Sequence, residues 1–340
     1  MRRAAAVLLP ALSFVAWLGA AAPVERALAF LQPSIRMTSD ERRDLSRDRV
    51  VSRVLSAPNN EVAVIGVTAV NVPGSELLHA SRDIRRLRRS PQVLAMGRLS
   101  TPPQLSDFDG LQLDKEDLES IRVCVPGDCG VKLADGEMQE LEAAAQGADW
   151  QDRLQRAFRA VLLERVREYL RGGLAAVPDT HGHADPVSQQ ASFAAVLRRS
   201  SFLAREAPAL DAYLEQGPAD PPSGIEWYLY WSKEKYAGKA VVRVAHVAMM
   251  SVDGGAAGPQ AVVVEKQVFA THYIDAFLGV TTIASAGDGM PNYLTYVNRS
   301  KVDFLGGFFG PIKRAIARRE IESYLKKILA LARRRLEATN

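Results

Sequence analysis

The stretch YLTYVNRSKVDFLGGFFGPIKRAIARREIESYLKKILALARRRL, Tyr293–Leu336, decides the fold. Its first residues are strand-like and its middle is glycine-rich. From Pro311 onward Ile312, Ile316, Ile321, Tyr324, Leu325, Ile328, Leu329, Ala332 and Leu336 recur at three-and-four spacing, which makes one apolar helix face. A strand therefore leads into a long basic amphipathic helix, about Pro311 to Leu336, with one side built to lie on a sheet. Gly306-Gly307-Phe308-Phe309-Gly310-Pro311 lets the backbone swing from one to the other, with an anion nest at the helix start as the alternative.

Working back from that helix, strand signals dominate: Ile225–Ser232, Ala240–Ser251, Ala261–Tyr273, Phe277–Ser285 and Tyr293–Asn298. Asp253-Gly254-Gly255 and Gly287-Asp288-Gly289 between them have hairpin chemistry, so the sheet is expected to be largely antiparallel. Glu61–Asn71 is a further β-branched, alternating strand. Pro73-Gly74 breaks it, Ser75 can cap a helix through Arg89, and Gln92–Leu99 reads as a second strand after Pro91. Between Thr101 and Pro222 the character is helical, with a polar loop followed by helix-period stretches at Asp135–Ala145, Asp149–Arg171, Ser188–Arg199 and Ala209–Glu215. Gly172-Gly173 stops the longest of these, and the Pro/Gly-rich run Gly217–Gly224 closes the region as a linker. Ser39–Leu55 reads as a short helix capped by Ser39 or Asp40 and ended by Pro58 and Asn59.

The expected class is α+β: a curved antiparallel sheet packed on a long C-terminal helix, with a mostly helical insert. The segments are 1–22, an N-terminal helical lead over 23–60, a strand-helix-strand part over 61–100, the insert over 101–222, and the sheet with its final helix over 223–340.

The 340 residues carry a net charge of +4 and 47% apolar side chains, an ordinary globular balance too weakly basic to argue for nucleic acid. Residues 1–22 combine Arg2-Arg3, an apolar run interrupted by Pro10, and Ala20-Ala21-Ala22, the pattern of a secretory signal peptide; an uncleaved anchor continued by Val24–Leu31 is the alternative. Both put the body of the protein outside the cytoplasm, secreted or periplasmic. Cys124 and Cys129 flank Val-Pro-Gly-Asp, a turn that brings the sulfurs together, so a disulfide is expected. A thiol redox pair or half a metal site is the weaker alternative, because the spacing is wrong for the first and ligands are missing for the second.

The unit VAVIGVTAVNVPGSELLHASRDIRRLRRSPQVLAMGRLS, within which Asp83 lies on the helix, resembles the opening of the START-like (SRPBCC) helix-grip superfamily. Tyr293–Leu336 resembles that superfamily's last strand and terminal helix. Phrases such as Tyr230-Trp-Ser-Lys-Glu234, Lys266-Gln-Val-Phe-Ala-Thr-His-Tyr273 and Asn298-Arg-Ser300 also resemble those of uncharacterised secreted bacterial proteins with this layout. The resemblance covers Glu61–Leu99 and Ile225–Leu336. It implies a cavity between sheet and terminal helix for lipids, sterols, polyketides or other apolar molecules.

Two constellations remain. His181-Gly-His183-Ala-Asp185 opens like a metallo-β-lactamase motif, but Pro186 stands where a further histidine is needed and the flanks are loop, so no metal is expected. Within the strands, alternation puts His246 on a face with Val242, Val244, Ala248 and Met250, with Arg243 opposite; Lys266 and His272 share a face with Val264, Val268 and Ala270. A bulge would swap the two sets. Such polar groups on an apolar face either pair internally or meet the polar end of a ligand. In the ligand reading His246, Lys266, His272, Tyr273 and Arg299 fix a head group while Trp227, Trp231, Met250 and Phe269 line the apolar wall.

The expected function is a secreted or periplasmic, noncatalytic binder of a hydrophobic, lipid-like ligand, without a cofactor. The basic residues Lys313, Arg314, Arg318, Arg319, Lys326, Lys327, Arg333, Arg334 and Arg335 of the last helix offer peripheral membrane contact. The alternatives are a cyclase-like or hydrolytic enzyme with His246 or His272 as general base, and an envelope interaction module whose helical insert carries the binding surface.

Overall fold

Eight antiparallel strands form one curved, unclosed sheet in the order β1-β2-β8-β7-β6-β5-β4-β3. The structure is a computed structural model that describes residues 23–338 apart from 89, 182–185, 219, 237, 256 and 304–309, and apart from the side chains of 86, 87 and 310–318. The strands are β1 (Val51–Val54), β2 (Glu61–Val70), β3 (Val93–Arg98), β4 (Glu226–Tyr236), β5 (Lys239–Ser251), β6 (Gly258–Ala270), β7 (Ile274–Ser285) and β8 (Asn292–Val302). The last five are joined in sequence as a meander. β2 then adds beside β8, with Ile65 opposite Val297, while β3 adds beside β4. The signal-like segment 1–22 and the strand-to-helix glycines at 306–309 lie outside the described residues.

Among the described residues eleven α-helices cover the two faces: α1 (Pro23–Ala27), α2 (Ser39–Ser46), α3 (Gly74–Ser81), α4 (Ile84–Leu87), α5 (Lys115–Ile121), α6 (Asp135–Ala144), α7 (Trp150–Gly172), α8 (Gln189–Arg198), α9 (Ser201–Glu206), α10 (Pro208–Gln216) and α11 (Gly310–Glu337). The larger core joins the N-terminal lead and the central helices to one sheet face. There Leu154, Phe158, Leu162 and Val166 of α7 share a cluster with Val244, Ala248, Val264 and Phe269. The smaller core joins α3 and α11 to the opposite face through Leu77, Leu78, Leu325 and Leu329, which meet Tyr228, Val247 and Leu294. The sheet is thus the middle of three layers.

Individual residues explain the element ends. Thr38, rather than Ser39 or Asp40, caps α2: its hydroxyl accepts from the Glu41 N–H at 3.2 Å while the Glu41 carboxylate accepts from the Thr38 N–H at 2.7 Å. The α7 terminus turns at Gly173, φ +65°, which lies against Gly217, φ +106°. A Cβ on Gly173 would fall 2.8 Å from the Gln216 carbonyl, so only glycine lets α7 and α10 end side by side.

Several sequence expectations need correction. Ser39–Leu55 is not one helix: α2 stops at Ser46 and Val51–Val54 pairs with β2 as an edge strand. The helix expected through Arg89 breaks into α3 and the four-residue α4. The polar loop after Thr101 contains α5. Strict alternation fails in β6, where a register shift between Phe269 and Gln267 leaves Val268 as the extra residue. Phe269 consequently turns into the larger core, Ala270 joins a small cluster with Val241 and Phe277, and His272 lies past the strand end. The Cys124–Cys129 disulfide is formed, closing a turn in which Val125 and Asp128 exchange backbone hydrogen bonds. Val24, Ala27, Leu28, Phe30 and Leu31 are buried in the larger core, and among the described residues no helix is long and apolar enough to cross a membrane.

Candidate functional site

Three places in the fold hold chemistry: a buried polar row under the insert, a charged network on the opposite face, and an open groove by the N-terminal lead.

The row runs straight across the sheet. Leu229, His246, Lys266, Leu278 and Arg299 are register partners on successive strands from β4 to β8, so their side chains emerge on the same face. This is the insert face. His246 is fully buried; its Nδ1 shares a hydrogen bond of 2.7 Å with the Tyr169 hydroxyl from α7, and Tyr213 of α10 stands 3.4 Å from Nε2. Trp227 closes the cage edge-on at 5.4 Å between ring centroids. Burial, and then the Lys266 charge, hold the imidazole well below its ordinary pKa, so it is neutral. Lys266 donates to the Leu214 carbonyl at 2.6 Å and lies over the Phe193 ring at 4.5 Å. Burial brings its ammonium down to about 7.

The other residues singled out from sequence are dispersed along this face or beyond it. Arg299 donates to Glu61 at 2.7 Å, and Glu61 also takes Arg199 at 2.8 Å. Trp231 gives its indole N–H to the Asp107 carbonyl at 2.7 Å. Phe269 lies under the Arg165 guanidinium and against Phe158. Met250 packs at the margin of the larger core. His272, beyond β6, meets the Asp117 carboxylate at 3.1 Å; Tyr273, beside it, sits at φ +62°. His246, Lys266 and Trp227 are brought together, therefore, while His272, Tyr273 and Arg299 have separate surroundings. Each of the polar strand groups has a protein partner. In the histidine-rich loop, His183 and Asp185 lie outside the described residues, and His181 pairs with Asp135 at 3.1 Å. Among the described residues no group of three or more His, Cys, Asp or Glu could hold a metal ion.

On the opposite face Glu234 of β4 and Glu265 of β6 flank Arg243 of β5. Glu265 accepts from Arg243 at 2.9 Å and from the Tyr230 hydroxyl at 2.8 Å; Glu234 accepts from Ser232 at 2.7 Å and Tyr236 at 2.9 Å. Arg88, from the turn after α4, bridges both carboxylates, reaching Glu234 at 2.8 Å and Glu265 at 2.6 Å. Burial alone would raise the Glu234 carboxyl, but Arg88 and Arg243 hold it below the usual carboxylate range. Sequence reading missed this network. Its one available signal was the alternation that put Arg243 opposite His246.

The groove has a volume of about 600 Å³. Its apolar wall comes from Val24, Leu45, Ala69, Met290 and Tyr293, and its charged rim has Arg42, Arg43 and Arg333, which pair with Glu25 at 3.1 Å, Asp40 at 2.8 Å and Asp48 at 2.6 Å. These residues belong to α1, α2 and the turn after it, the ends of β2 and β8, the turn before β8, and α11, so the groove exists only when the lead is docked on the sheet. Arg26 of α1 helps to hold it there by donating to the Ala286 carbonyl at 3.1 Å. No family model, curated protein or solved structure matches the chain.

Proposed function

We propose that the protein binds an amphipathic, anionic, lipid-like molecule without transforming it, and that the ligand lies in the groove between the N-terminal lead and the ends of β2 and β8. The observation that carries this reading is the groove's composition: an apolar wall of ligand-sized extent beside three arginines, of which Arg42 and Arg43 hold only partly exposed ion pairs. An acyl or similar tail leaves water against Val24, Leu45 and Met290, gaining about 25 cal/mol for each Å² buried. Its carboxylate or phosphate exchanges with Glu25 and Asp40 for Arg42 and Arg43, whose solvent-screened pairs hold them weakly, and charge-assisted contacts then favour an anion over a neutral head group.

The helix-grip resemblance supports a binding role for the scaffold, with the ligand moved to the sheet's end. Exposed Arg319, Lys326, Lys327 and Arg334 on α11 would draw the protein toward anionic membranes in a salt-sensitive way. A secreted or periplasmic address, which the disulfide fits, belongs to the same proposal.

Titration of the purified protein with a fluorescent long-chain fatty acid tests it. Met290 is 46% exposed, so Met290→Glu leaves the fold intact while adding an anion to the groove. Saturable binding that Met290→Glu weakens about ten-fold, near 1.4 kcal/mol, is the expected result. No saturable uptake, or uptake indifferent to this charge, would refute the proposal.

A further inference from the structure

The charged network on the α11 side divides into a fixed part and a guest. Glu234, Glu265, Arg243, Ser232, Tyr230 and Tyr236 all project from β4, β5 and β6, three neighbouring strands that hold them at set positions. Among the described residues Arg88 is the one charged group that reaches both carboxylates from outside the sheet. Among the described residues two carboxylates are balanced by two guanidinium groups; without Arg88 the strands themselves present two anions against one cation.

The place Arg88 takes is shaped for a planar cation. Its two terminal nitrogens reach carboxylates on different strands, Nη1 to Glu234 and Nη2 to Glu265, so that the planar fork spans both with one fixed geometry. The Tyr230 ring lies 5.7 Å from its central carbon. Beside Glu265 in the next strand stands Gly279, where a Cβ would press the Phe277 ring at 3.0 Å and the Tyr296 hydroxyl at 3.3 Å. The Arg88 side chain is 22% exposed, so the seat is not sealed from solvent.

Stability alone does not account for such an arrangement. Desolvating four charges offsets much of their mutual attraction, and apolar residues of the same volume commonly do as well or better.

We propose that this seat is a recognition site for a guanidinium carried on an alkyl stem, with Arg88 as its internal occupant until an external one displaces it. The site is independent of the groove. Displacement moves Arg88 out into water and leaves the strands in place, so exchange requires no rearrangement of the sheet.

Calorimetric titration of Arg88→Ala with agmatine, and separately with the tripeptide acetyl-Gly-Arg-Gly-amide, tests the assignment. The emptied seat is expected to bind at least one probe about ten-fold more tightly than the wild type, where Arg88 competes, and the added change Glu265→Gln is expected to abolish binding. Preference for agmatine marks a small free molecule as the ligand; preference for the tripeptide marks a chain-borne arginine. A folded Arg88→Ala protein that binds neither overturns the proposal. If that variant does not fold, the wild type decides: millimolar agmatine or tripeptide should shift the Arg88 Nε–Hε resonance toward that of an exposed arginine, and an unmoved resonance with both overturns it.

Discussion

His246 and Lys266 face each other directly across β5 and β6, yet neither uses the other as a hydrogen-bond partner: the imidazole turns to Tyr169 and the ammonium to the Leu214 carbonyl. Both partners come from the helical insert. The two strand residues therefore join the insert to the sheet by polar contacts set inside an apolar core.

Lys266 should make stability depend on pH. Its folded pKa is about 7, whereas an unfolded lysine titrates near 10.4. Between those values the unfolded chain binds the proton more readily, so stability rises as pH increases from about 7 to about 10. Below pH 7 the penalty is fully present. Lys266→Met should accordingly stabilise the protein by several kcal/mol at pH 6, with the gain shrinking toward pH 10. Urea unfolding of both proteins across that range measures it, and a gap that does not change with pH would contradict the assignment.

Tyr169→Phe removes the partner at 2.7 Å and strands a buried imidazole nitrogen, with an expected loss of about 1–3 kcal/mol. Tyr213→Phe removes only the longer 3.4 Å contact and should cost less. Equal losses in chemical denaturation would mean that ring packing, rather than hydrogen bonding, holds His246.

Glu61 sits between Arg299 and Arg199, with the first arginine buried and the second 43% exposed. Glu61→Gln leaves the buried guanidinium without its counter-charge and should cost about 3–5 kcal/mol. Arg199→Gln removes a solvent-screened pair, so a loss below about 1 kcal/mol is expected. Thermal unfolding in low and high salt separates them, because only the Arg199 contribution should fade as salt rises.

Gly66 on β2 lies under Leu325 and Leu329 of α11, and an added Cβ would collide with Leu329 and crowd Leu325 at 3.1 Å. Gly66→Ala should lift the helix and cost about 1–3 kcal/mol as overpacking. Pairing it with Leu329→Ala makes room, so the double variant should be more stable than the sum of the single losses predicts. Strict additivity would mean that α11 does not rest on Gly66 in solution.

The strands of the last third were legible because each is long and alternates over many residues, and the α11 stripe because Leu325, Leu329 and Leu336 repeat at helical spacing and are buried. Val51–Val54 was not: four residues in a charged context carry no period, and their strand state depends on pairing with Val64–Val67. The seven-residue α5 was hidden in the same way, although its Asp117 binds His272. Alternation assigned β5 correctly and failed in β6 at Val268, since a bulge is set by what packs above it. The groove draws on four separated segments, and Lys266 is satisfied by a main-chain carbonyl, a partner to which the identity of Leu214 gives no clue.

The unclosed sheet also has a consequence for self-association. Its outermost ladders are β1, four residues long, and β3, whose pairing slips between Val93 and Ala95. Neither rim offers a long, straight row of vacant amides for a second molecule to extend, so the molecule keeps an open barrel without inviting stacking into fibres.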